Sequence, residues 1–277
     1  MSTARGFAKV NLGLWITGVQ DDGKHQLLTL FTALSDLYDE VDLNLARVPG
    51  EGRITCTDAK IPLDSKNIIH TAMTFCGVDP ADYDVSITKR IPIAAGLAGG
   101  SADAAAVILL LGNPHKSDIQ QYAQIGADVP FAVRAAMEKG NFAAVGRGVG
   151  DALSSVDLPT LDLQILPQDC EISTAVSYKT FDDHFSAHSE PHAELELSEL
   201  LSGLHSLDLA KIKKCLNNDL QKTAYIINPE LEVRINGLNM AAGAKEFYFM
   251  TGSGPTIVKL TLRQPKSGPT DGKMGGR

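Results

Sequence analysis

The stretch IPIAAGLAGGSADAAAVILLL, residues Ile91 to Leu111, runs from a glycine-rich turn directly into an apolar helix. Gly96, Gly99 and Gly100 let the backbone approach a ligand closely, and the small residues Ser101, Ala102 and Asp103 open a helix whose first amides have no intrahelical acceptor. A helix N-terminus of this kind attracts anions, and several converging amides suit a polyphosphate better than one carboxylate. The strand-like run 83–91 delivers the chain into the turn, which completes the strand, glycine loop, helix context. Neither GxxxxGK[ST] nor GxGxxG occurs in the chain. On these residues alone, a phosphate cradle and a plain packing turn both stand.

Outward from the loop, residues 7–16 alternate. Ala8, Val10, Leu12, Leu14 and Ile16 fall on one face, and Phe7, Lys9, Asn11, Gly13 and Trp15 on the other. Lys9 and Asn11 should therefore project side by side. Asp21-Asp22-Gly23 signals a turn before a strand at 26–34, with His25 at its entry. Further strands are expected at 40–45 and 53–57, and a short amphipathic helix at 67–76. Beyond the central helix, 117–125 reads as a helix capped by Ser117, and Asp128 stands two residues before Pro130 as a ready N-cap. A strand at 138–145 leads to Gly146-Arg147-Gly148-Val149-Gly150, which reads as a turn because no apolar helix follows. The second half offers a strand at 161–166, helices near 173–181, 195–204, 209–216 and 229–242, and closing strands at 246–250 and 256–262. Residues 182–194 read as a polar, histidine-rich mobile loop, and 263–277 as a disordered tail.

The chain has 277 residues, 44% hydrophobic and 21% charged, with a net charge of −8. It has ample material for a core, and its charge disfavours nucleic acid and anionic membranes as partners. Cys56, Cys76, Cys170 and Cys215 form no CxxC pair, which fits reduced thiols and a cytoplasmic setting. No membrane span or signal peptide is expected. His184, His188 and His192 have the i, i+4, i+8 spacing of helix-borne metal ligands, but Pro191 should break that helix, so no metal site is expected.

With the loop set beside Lys9, Asp128 and Thr251-Gly252-Ser253-Gly254-Pro255-Thr256, the sequence resembles the GHMP kinase superfamily. Ala8 to Leu12, Asp22 to His25, Pro92 to Ala106, Gly126 to Phe131, Ile172 to Ala175 and Asn218 to Leu220 narrow the likeness. They resemble, in order, the branch that phosphorylates 4-diphosphocytidyl-2-C-methyl-D-erythritol. Among the departures from that pattern, Lys24 stands where the branch usually has tyrosine, the connection between Leu111 and Ile125 is short and lacks its usual aromatic, and Ala94, Ala95 and Ala98 stand where glycine is common.

The resemblance implies an α+β, two-domain GHMP kinase fold. It comprises a ribosomal-protein-S5-domain-2-like N-terminal domain over residues 1–156 and a ferredoxin-like C-terminal domain over 157–262. It implies a kinase that uses ATP and Mg²⁺ on the 2-hydroxyl of that small-molecule substrate, in isoprenoid precursor synthesis, as a monomer or homodimer. Asp128 would take the hydroxyl proton and Lys9 would orient the hydroxyl. Pro92, Ile93, Ala94, Ala95, Gly96, Leu97, Ala98, Gly99, Gly100, Ser101 and Ala102 would hold the ATP phosphates. Asn11, His25, Thr174 and Tyr178 would contact substrate, with His25 reading the cytosine edge and Tyr178 stacking on the base. Other readings are a homoserine- or mevalonate-type kinase of the same superfamily, or a nucleotide-binding protein without catalysis.

Overall fold

The computed structural model describes residues 2–112 and 118–262. The Ser117 cap and the 263–277 tail lie outside these residues. Strand β1, Ser2–Val19, and strand β2, His25–Leu45, form a long antiparallel hairpin closed at Asp21-Asp22-Gly23. The two strands expected at 26–34 and 40–45 are one, because β1 pairs with both ends of it while residues 34–37 bow out opposite Ala8. Strand β3, Ile54–Cys56, helix α1, Ile68–Phe75, and strand β4, Tyr83–Thr88, follow. Asn67 caps α1 by accepting from the Ile69 amide.

Helix α2, Gly99–Leu110, lies against β1 and is buried from Ala102 to Ile108. Its closeness to the sheet depends on Gly6, where a Cβ would stand 2.0 Å from Ala102 O. Residues 119–124 form a 3₁₀ turn, and helix α3 spans Val129–Met137. The strand expected at 138–145 starts later, as β5, Ala143–Arg147, because Lys139 and Gly140 at φ 54° and 81° first turn the chain. Strand β6, Ala152–Ser155, closes a hairpin with β5 through Gly148 to Gly150, so that glycine run is a turn. The sheet order is β3-β4-β2-β5-β6, with β1 paired to β2.

The second half holds β7, Asp162–Leu166, helices α4, Thr174–His184, α5, Glu190–Ser206, α6, Leu209–Cys215, α7, Asp219–Ile227, and α8, Pro229–Ala241, then β8, Glu246–Met250, and β9, Ile257–Thr261. The three strands form an antiparallel sheet in the order β7-β9-β8. Two expectations fail here. Most of 182–194 is helical, since Pro191 occupies the first turn of α5, where proline needs no donor, and so starts the helix rather than breaking it. Helix α7 was not foreseen; its signal was Asn218, which caps it by accepting from the Leu220 amide.

The predicted stripe on β1 is also interrupted. A register shift between Asn11 and Gly13 inserts an extra residue, and an extra residue reverses every later side chain. Ala8, Val10, Leu12 and Trp15 accordingly share one core with Leu28, Leu197 and Phe249, whereas Leu14 and Ile16 enter another with Ile172, Leu220 and Met250. The far end of β1 is gripped by the second half: Leu14 N donates to Asn217 O at 2.8 Å and Ile16 N to Asp219 Oδ2 at 2.8 Å.

Beneath the glycine loop, Lys89 Nζ lies 2.5 Å from Asp39 Oδ2 and 2.8 Å from Asp103 Oδ2, all three being buried. Asp39 also accepts from the Arg90 and Ile91 amides. Asp103 Oδ1 has no hydrogen-bond partner. Burial raises the Asp103 carboxyl to about 7, against the pull of Lys89. A carboxyl whose folded value is raised contributes stability below its ordinary value, and that contribution is lost as pH climbs through the folded one. Asp103→Asn should therefore remove from the thermal melts, over roughly pH 5–8, a component in which stability falls as pH rises.

Candidate active site

A cleft of about 480 Å³ gathers most of the residues singled out in the sequence. Lys9, Asn11, the loop from Pro92 to Gly100, Asp128, Thr174 and Tyr178 all line it. Their arrangement starts from β1. Lys9 is only 6% exposed, so it is no solvated edge lysine. Its Nζ donates to Asn11 Oδ1. Asn11 is fixed in turn: its Nδ2 donates to Thr29 Oγ1 at 2.8 Å, and its backbone N to Thr251 Oγ1 at 2.8 Å. Thr29 Oγ1 in turn donates to Gly13 O at 2.7 Å. Burial pushes the Lys9 ammonium below its ordinary value, and the nearby Asp128 carboxylate counters part of that.

Asp128 occupies the N-cap position of α3, yet its side chain makes no capping hydrogen bond. A local capping role therefore does not account for it. Its charge is felt by both Lys9 and Tyr178.

The glycine loop and the 252–254 turn interlock over Lys9. A Cβ on Gly96 would stand 2.7 Å from Thr251 O; one on Gly252 would stand 2.9 Å from Gly96 O and 3.1 Å from Lys9 Nζ. Asn218 Nδ2 holds the second turn by donating to Met250 O and Gly252 O, each at 2.9 Å. Lys9 N donates to Leu97 O at 3.1 Å, which ties β1 to the first. Gly99 and Gly100 begin α2, so their amides are free of intrahelical acceptors and border the cleft. Two predicted loop members depart from this. Ala102 is fully buried and its amide donates to Ala98 O within the helix, and Ser101 is half-buried outside the cleft lining.

At the other end, His25 is not in the lining but stacks on Tyr178, with ring centroids 4.5 Å apart and planes 22° apart. His25 Nε2 is 2.7 Å from Asp182 Oδ1. Thr174 Oγ1 is 2.9 Å from Ser253 Oγ, joining α4 to the 252–254 turn. Lys24, in place of the usual tyrosine, pairs at the exposed surface with Asp22 at 2.8 Å. Leu14, Leu27, Phe31, Ile61, Lys89 and Val149 also line the walls and were not foreseen. Only the β1 register shift turns Leu14 toward the cleft, and no local pattern announces that.

Helix-borne amides, a buried lysine and a free carboxylate around one cleft equip a small-molecule phosphotransferase of the GHMP kinase fold. A family profile described as "GHMP kinases N terminal domain" matches residues 66–156. The 4-diphosphocytidyl-2-C-methyl-D-erythritol kinase of Gloeobacter violaceus is 35% identical over 271 residues, covering 92% of this chain and 84% of that protein. A crystal structure of 4-(cytidine 5'-diphospho)-2C-methyl-D-erythritol kinase matches with a TM-score of 0.69 at 27% identity, covering 94% and 90% of the two chains. The homoserine kinase of Cytophaga hutchinsonii shares the fold, with a TM-score of 0.62 at 21% identity over 95% of this chain and 86% of that one. The chain belongs to the 4-diphosphocytidyl-2-C-methyl-D-erythritol kinase family. No helix among the described residues is long and apolar enough to cross a membrane.

Ala94 and Ala98 hold φ angles of 51° and 58°, in the left-handed region that costs a residue with a Cβ about 1–2 kcal/mol. After subtracting the extra freedom glycine has when unfolded, Ala98→Gly should stabilise the protein by roughly 0.5–1 kcal/mol in urea titrations.

Proposed function

We propose that this chain transfers the γ-phosphoryl group of ATP to the 2-hydroxyl of 4-diphosphocytidyl-2-C-methyl-D-erythritol. The observation that carries this reading is the convergence of Lys9, Asp128 and the α2 N-terminus on one cleft, with the His25–Tyr178 pair at its edge.

The free amides at the start of α2 and the loop from Pro92 to Gly100 cradle the nucleotide phosphates. The fit is physical: without a Cβ, Gly96 packs against Thr251 O and Gly99 against Ile91 and Lys89, which holds the loop backbone close to its supports along the cleft. Mg²⁺, which takes most of its ligands from phosphate and water and needs only one or two carboxylates, would be held beside this loop with Asp128 as its nearest carboxylate, and would neutralise phosphate charge. Asp128 is the carboxylate on the cleft wall. Asp128 accepts the proton of the acceptor hydroxyl. Lys9, held by Asn11, directs that hydroxyl toward the phosphorus and balances the charge that grows on the transferring oxygens. Little covalent chemistry is asked of the protein, so positioning and charge supply the rate.

The base is held at the His25 end. Tyr178 offers a ring face, Asp182 fixes the His25 imidazole, and His25 reads the edge of the cytosine. The two rings are in contact, so a base sandwiched between them would require them to part. The division of the chain near residue 156 follows from the same reading, with the phosphate loop on one side and Thr174, Tyr178 and the 252–254 turn on the other.

The decisive assay measures ADP release with Mg²⁺ and ATP in the presence of the cytidyl substrate, homoserine or mevalonate. Turnover with the cytidyl substrate alone is expected; turnover only with homoserine or mevalonate would overturn the assignment. Asp128→Asn and Lys9→Met should each lower kcat by about 10²–10⁴. Tyr178→Ala should act chiefly on KM, raising it by the fivefold to hundredfold that loss of roughly 1–3 kcal/mol of base stacking implies.

A further inference from the structure

His188, His192 and Glu196 form the one group of three candidate metal-binding side chains among the described residues, each offering a ligand atom within 4.8 Å of the others. The group lies on the connection between α4 and α5 and on the first turns of α5. It replaces the His184, His188, His192 series that the sequence suggests: His184 ends α4, while Glu196 stands one turn beyond His192.

We propose that His188, His192 and Glu196 bind a divalent transition-metal ion of the zinc type. Two imidazoles and one carboxylate form a donor set suited to Zn²⁺, with a position left for water. Two of the ligands are already oriented by outer partners, as metal-binding side chains generally are. His188 Nε2 is 3.0 Å from Asp219 Oδ1, and donation to that carboxylate leaves Nδ1 with a free lone pair. Asp219 itself is wholly buried and tied to Ile16 N, Asn217 and Lys222, so it is a fixed support. Trp15 Nε1 donates to Glu196 Oε2 at 2.6 Å, leaving Oε1, 3.3 Å from His192 Nε2, to face the third ligand. The His188 and His192 rings run nearly parallel, 16° apart with centroids 5.9 Å from each other.

Tetrahedral coordination at bond lengths of about 2.0–2.1 Å needs ligand atoms roughly 3.4 Å apart. The 3.3 Å pair meets this already, and the exposed His192 is free to swing toward His188 for the rest. The site would pin residues 185–189 to α5 and to the end of β1, where His188 N donates to Ile16 O at 2.8 Å. Its role is a structural clamp near the α4 end that carries Asp182.

The test uses Trp15, the only tryptophan of the chain, as the reporter. Chelator-treated full-length protein titrated with Co²⁺ should lose Trp15 fluorescence along a saturable, one-to-one curve, and Zn²⁺ should restore it by displacement. His192→Ala and Glu196→Gln, both at partly exposed positions, should each weaken binding by at least the roughly 10–100-fold typical of outer-partner changes. His184→Ala should leave it unchanged. Absence of saturable quenching in the wild-type protein, or equal quenching in a folded His192→Ala/Glu196→Gln double variant, would overturn the site.

Discussion

A buried ammonium is the constraint around which this molecule is arranged. Removing a charge from water costs several kcal/mol even after local relaxation, so Lys9 must be compensated from close by. The compensation is assembled from distant parts of the chain: Asn11 beside it, Thr29 behind Asn11, Thr251 on the Asn11 backbone, and the Asp128 charge across the cleft. Each partner is itself held, which is what fixes the ammonium in one place. A site that positions an acceptor hydroxyl needs that fixity more than it needs any particular strength of interaction.

The same region is where the two sheets meet. The glycine loop and the 252–254 turn approach so closely that a single methyl group on Gly96 or Gly252 would collide with backbone across the junction. Asn218 and Thr174 tie the second turn from below and from the side. The glycine loop and the 252–254 turn are therefore not two independently placed surfaces.

Much of this was legible in the residues, and the limits have physical causes. The glycine loop announced itself because close approach at Gly96 and Gly99 leaves a compositional mark, whereas its left-handed Ala94 and Ala98 leave none. Lys9, Asn11 and Asp128 were singled out through the resemblance to the GHMP kinases, since locally Lys9 reads as well as a solvated strand lysine and Asp128 as a helix cap. The fate of Leu14 and Trp15 was not, since a one-residue bulge changes which core a side chain enters without changing the pattern of types. Helix α7 escaped for a related reason, its start being marked by the side chain of Asn218 rather than by a long apolar repeat. Pro191 misled because proline ends a helix in its interior and begins one in its first turn. The Lys89–Asp39–Asp103 cluster joins residues from three elements, and no local window contains it.

The bulge between Asn11 and Gly13 also bears on how the chain can change over time. Because it reverses the facing of the residues up to Ile16, β1 serves two cores with one strand, and its length in residues is locked. Losing or gaining a residue there would exchange Trp15 for Leu14 in both cores at once, a double error that no neighbouring substitution repairs. Insertions and deletions should therefore collect in the turn at residues 20–24, where Gly23 has open space around it, and spare the strand. Drift in the length of this hairpin is thereby channelled to the end that carries His25, away from Lys9 and Asn11.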